Sequence, residues 1–164
     1  MPIRPKDGKR KAEPGLEEVF KSHHHFGLQA LKELKRAERY CEFLSIVILD
    51  LAGTADSKTK PLSRLPSRKR SQHLSELRGF IGNSVRETDL VSGFEENRLG
   101  LLLAETPLEG AKILAKRLEE GIRYFFQERL QVAIPIQVPL KIISYPNKLK
   151  GREEIYSTIQ EFIG

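Results

Sequence analysis

Tryptophan is absent from this chain, and cysteine and methionine occur once each. With Cys41 alone, no intramolecular disulfide can form, so the fold must rest on a buried core. Long apolar runs are missing too. No stretch approaches the roughly 20 residues that a membrane-spanning helix needs. The opening MPIRPKDGKRKAEPG has charge but no apolar segment, so it is not expected to be a secretory signal. These absences together predict a cytoplasmic protein. Acidic residues are outnumbered, 22 against 28 Lys and Arg, for a formal charge of +6. The excess permits an anionic partner. It is concentrated in RPKDGKRK and KTKPLSRLPSRKR, which hold eleven basic residues and one acidic residue between them. Both read as solvated, flexible segments, so nucleic acid is not the expected partner.

What is present is an ordinary globular composition, 39% hydrophobic and 30% charged over 164 residues, enough for one domain. Residues 1–15 read as a disordered basic tail, and 16–164 as the domain. From Leu16 to Tyr40, Leu28, Leu31 and Leu34 recur at helical spacing. FLSIVILD, 43–50, is a short, near-continuous apolar run rich in Ile, Leu and Val, which predicts a strand buried on both faces and ending in Asp50. A carboxylate at such a strand end is a favoured place for ligand or metal chemistry. Residues 52–69 carry Gly, Pro, Ser and basic residues without periodicity and are expected to form a long loop. A helix is predicted from about Ser71, with Leu74, Leu77, Phe80, Ile81 and Val85 on its apolar face. Two short strands follow, 89–94 and 99–104, joined by EENR. TPLEG opens another helix, with Thr106 as cap, Pro107 in the first turn and Glu109 completing a capping box. VAIPIQVPLKIISYP is β-rich, its two internal prolines arguing for an edge or a bend. GREEIYSTIQEFIG reads as a short amphipathic helix. The order α-β-α-β-β-α-β-α implies an α+β fold, with a mixed central sheet flanked by helices. Cys41, between a helix and a buried strand, is expected to be a buried thiol. His23, His24 and His25 lack the i, i+4 spacing of a helical metal site and are expected on the surface.

The segments LKELKRAERYCEFLSIVILDL, LRGFIGNSVRETDLVSGF, LGLLLAETPLEGAKILAKRL and IISYP, in this order, resemble the GGDEF domain, the diguanylate cyclase fold that makes bacterial cyclic di-GMP. The resemblance spans roughly residues 26–146 and implies a nucleotide-cyclase palm with a ferredoxin-like core. It also implies that the catalytic turn has degenerated. Where the family has Gly-Gly-Asp-Glu-Phe, this chain has Glu95, Glu96, Asn97, Arg98 and Leu99. Paired glycines let a backbone approach a triphosphate, whereas two glutamates oppose it with side chains and charge. Asn97 or Arg98 falls where the family has a metal-binding acid, and Arg would repel a cation. Asp50 matches the family's first metal aspartate, but a single carboxylate makes a weak magnesium site, so Asp50 reads as vestigial. The family's guanine-reading segment and its early Leu-Thr-Gly-Leu-x-Asn-Arg motif are likewise replaced. No catalytic residue, resident metal or cofactor is therefore expected.

Arg86-x-x-Asp89 stands at the position of the family's inhibitory product site, and the resemblance adds Arg117 to it. The chemistry suits guanine. An arginine fork donates to O6 and N7, and a carboxylate accepts from N1–H and the exocyclic amine. The expected function is a catalytically inactive bacterial signalling domain that binds cyclic di-GMP and passes its state to a protein partner. The alternative is a module that binds no nucleotide and dimerises, or scaffolds a signalling or secretion complex.

Overall fold

The structure is a computed structural model that describes residues 22–50, 67–93, 95, 98–130, 140–146 and 151–163. The expected basic tail and most of the expected loop lie outside these residues. The elements in chain order are α1 (His23–Tyr40), β1 (Leu44–Asp50), α2 (Ser67–Ser84), β2 (Leu90–Val91), β3 (Arg98–Ala104), α3 (Leu108–Leu130), β4 (Leu140–Tyr145) and α4 (Gly151–Ile163). Helix α2 therefore takes in 67–69, which the sequence assigned to the loop. Ser and basic residues are compatible with a helix once its later turns are packed.

The four described strands form one sheet in the order β2-β3-β1-β4. Pairing is antiparallel throughout, so the α+β class holds while the expected mixed pairing does not. The run from β1 to β4 is a β-α-β-β-α-β unit, the ferredoxin-like arrangement. Strand β1 is central and apolar at almost every position because both faces are covered. Val47 and Leu49, with Leu99, Leu101 and Leu103 of β3, meet Leu77 and Ile81 of α2 and Ala111, Ala115, Leu118 and Ile122 of α3. Leu44, Ile46 and Ile48 meet Phe26, Ala30 and Leu34 of α1 and Ile155, Ile159 and Phe162 of α4 on the other side. The two-residue alternation along each strand sorts side chains between these two cores. Gly100 faces the second core, where an added Cβ would lie 2.8 Å from ring atoms of both Phe26 and Phe162. A side chain there would prevent α1 and α4 from closing over the sheet.

Buried polar groups in the sheet are paired, as desolvation requires. The Ser45 hydroxyl donates to the Thr106 carbonyl at 2.7 Å and lies 2.8 Å from the Ser144 hydroxyl, tying the turn before α3 to β1 and β4. At the C-terminal end of α1, Cys41 adopts a left-handed conformation (φ 54°), and the Glu42 N–H closes back on the Ala37 carbonyl at 2.9 Å. This corrects the expected burial of Cys41: as the residue that ends the helix, it is turned out to solvent. No described helix is long and apolar enough to cross a membrane.

Candidate functional site

The hairpin turn between β2 and β3 is closed by a backbone pair. Arg98 N–H donates to the Glu95 carbonyl at 3.0 Å, and Glu95 N–H to the Arg98 carbonyl at 3.3 Å. Glu96 and Asn97 lie outside the described residues. Glu95 is half exposed, yet it is not free of the rest of the fold. The Glu95 carboxylate accepts the His23 N–H at 2.9 Å, adding an anion to a helix start that has no acidic residue in its own first turn. The His23 ring is buried, with Nε2 at 2.9 Å from the Gly93 carbonyl and 2.8 Å from the Arg98 carbonyl. Two carbonyl acceptors require the proton on Nε2. Arg98 stacks over the Phe162 ring at 4.7 Å and reaches Glu161 at 3.4 Å. The turn is thus fastened to the first turn of α1 and the last turn of α4. His23 is accordingly an internal tether rather than a surface residue, while His24 and His25 are exposed as expected.

Asp50 ends β1 directly opposite Arg98 in the sheet register. Both line a hollow of about 280 Å³ together with Lys141 and Glu161. This donor set does not fit a magnesium ion. Two cationic side chains accompany its two carboxylates, and Glu161 is engaged with Arg98. Among the described residues, no group of three or more His, Cys, Asp or Glu side chains could hold a metal.

The second feature lies at the opposite end of β3. Arg86, Asp89 and Arg117 line one open cleft of about 350 Å³, whose walls include Leu103, Pro107 and Leu114. The turn after α2 brings the first two together: Asp89 N–H donates to the Arg86 carbonyl at 3.0 Å, and the Asp89 carboxylate accepts the Arg86 N–H at 3.0 Å. The carboxylate also sits 3.5 Å from Arg86 Nη2 and is only 3% exposed, against 60% for the arginine side chain. Arg86 Nη2 further donates to the Ala104 carbonyl at 2.8 Å and to the Thr106 hydroxyl at 2.7 Å. Arg117, on α3, donates from Nη2 to the Ser84 carbonyl at 2.7 Å, which satisfies a free acceptor at the end of α2. Every described hydrogen bond of these two guanidinium groups uses Nη2, leaving Nε and Nη1 without an acceptor among the described residues.

Thr106 differs from its predicted role. Its hydroxyl donates to the Ala104 carbonyl at 2.8 Å and accepts from Arg86, so it buttresses the cleft. Glu105, which the sequence reading did not single out, lines the same cleft with a left-handed backbone (φ 51°). Its position after a buried strand and before TP is the only local signal. Arg86 and Glu105 also line a second hollow of about 340 Å³, with Gln29, Glu33 and Arg36 of α1.

No family model and no curated protein matches the sequence. Solved structures do match. An active GGEEF domain of a diguanylate cyclase from Vibrio cholerae superposes with a TM-score of 0.63 at 15% identity, covering 87% of this chain and 87% of that one. A GGDEF domain from Pseudomonas aeruginosa superposes at 0.60 with 21% identity, covering 90% and 84%. A GGDEF domain from Caulobacter crescentus, solved in complex with cyclic di-GMP, superposes at 0.58 with 10% identity, covering 80% and 73%. By architecture, the chain has the fold of the GGDEF domains of diguanylate cyclases.

Proposed function

We propose that this chain is a non-catalytic signalling domain that binds cyclic di-GMP in the cleft of Arg86, Asp89 and Arg117. One observation carries the reading. Two arginines from different elements line one open cleft, each anchored on a backbone carbonyl through Nη2 and each keeping N–H groups that no described residue accepts. Such preorganised forks match the O6 and N7 acceptors of guanine, and the apolar walls suit the faces of a purine. Each charged hydrogen bond gained contributes roughly 1.5–3 kcal/mol. Asp89, buried beneath Arg86, serves as the positioning residue that holds the guanidinium toward the cleft. The non-catalytic part of the reading draws on the other end of the sheet. There the turn that would approach a triphosphate is fastened to α1 and α4, and Arg98 and Lys141 stand beside Asp50.

Titration calorimetry with cyclic di-GMP tests the receptor. Saturable binding is expected, weakened at least about tenfold by Arg86→Ala, the loss of one charged hydrogen bond. Absence of heat, or undiminished binding by the variant, overturns it and leaves a docking module that responds to no nucleotide.

A further inference from the structure

The cleft contains two carboxylates in different circumstances. Asp89 is 3% exposed and committed to Arg86 through both oxygens. Glu105 is 63% exposed, and its one ion pair among the described residues is a long contact to Arg36 at 4.0 Å. A planar base held on Arg86 and Arg117 would therefore find its accessible anionic acceptor at Glu105 rather than Asp89.

The backbone at Glu105 supports this assignment. Its φ of 51° lies in the left-handed region, which glycine or asparagine occupies with less strain than glutamate. Glutamate thus stands where the turn alone favours another residue. Strained positions of this sort cluster at ligand sites.

We infer that Glu105 is a specificity-determining residue of the cleft, accepting the N1–H and exocyclic amine of a guanine whose O6 and N7 face the arginines. The inference rests on the receptor reading above and adds a second point of discrimination, on the edge of the base that the arginines do not face. Guanine presents two donors on that edge, which a carboxylate accepts together. Adenine presents one acceptor and one donor there, which a carboxamide matches instead.

The chemistry determines the experiment. Cyclic di-GMP and cyclic di-AMP are titrated into the full chain, Glu105→Gln, Glu105→Gly and Arg86→Ala, with thermal unfolding recorded for each. The full chain is expected to favour the guanine ligand by at least about tenfold, the scale of one unmatched hydrogen bond. Glu105→Gln should shift that ratio about tenfold toward the adenine ligand, since the amide both accepts and donates. Glu105→Gly should melt at a higher temperature, because the strained backbone is relieved, yet give up about tenfold of the guanine preference, the arginines' reading of O6 remaining. A merely structural role would not separate stability from selectivity in this way. Binding that is sensitive to Arg86→Ala while Glu105→Gln keeps the full guanine preference overturns the role of Glu105 and leaves the receptor standing. No binding of either ligand overturns both.

Discussion

His23 shows how one side chain can hold three elements together. Its backbone N–H meets Glu95, its ring bridges the carbonyls of Gly93 and Arg98, and the ring packs edge-on to Phe162 with centroids 5.0 Å apart. Removing the anion from this arrangement should be felt as the loss of a helix cap. Glu95→Ala is expected to lower unfolding stability in urea by about 1 kcal/mol, the usual cost of a lost N-cap contact. Glu120→Ala, on the exposed face of α3, should change it by less than about 0.5 kcal/mol. Equal effects would show that the turn is not fastened through Glu95. None of this was readable from the sequence. His23 and Glu95 are 72 positions apart, and neither carries a local pattern that names the other. The histidine triplet looked like surface because the aromatic partner that buries its first member lies on the last helix.

At the scale of elements, the sequence was far more legible. Strand β1 was evident from its uninterrupted Ile, Val and Leu, because a strand buried on both faces has no polar side to show. The helix after TPLEG was evident from its apolar spacing and its start. The pairing direction was not, since strand order and polarity depend on contacts between distant segments. The crossing of α1 and α4 offers a test of how closely these elements approach. At Gly27 an added Cβ would sit 2.6 Å from Ile163 Cγ1 and 3.1 Å from the Ile163 backbone nitrogen. Helix propensity alone would favour Gly27→Ala by about 1 kcal/mol. Overpacking costs about 1–3 kcal/mol, so a net destabilisation is expected in denaturant titration. Adding Ile163→Ala should recover part of it, because the shortest of the three crowding contacts then disappears; no recovery would mean that the Ile163 backbone nitrogen and the Phe162 Cβ, each at 3.1 Å, dominate.

For the molecule as a whole, a shared fold and a shared reaction are separate matters. The chain superposes on an active cyclase domain, but the residues near Asp50 set an arginine and a lysine where a divalent cation would need anionic ligands. Incubation with GTP and magnesium, followed by nucleotide chromatography, is expected to yield no cyclic di-GMP above a protein-free control. Product formation would overturn the non-catalytic reading while leaving the fold unaffected. The cleft at the end of β3 was half legible. Arg86, Asp89 and Arg117 were named by resemblance and do line one cleft, but their division of labour depends on burial, which spacing cannot express.

The wall that Arg86 and Glu105 form is a partition between two hollows. A guest that draws either side chain toward itself on one side reshapes the room on the other. Whatever settles against α1 through Gln29, Glu33 or Arg36 and moves either side chain would therefore change the shape of the compartment across the partition.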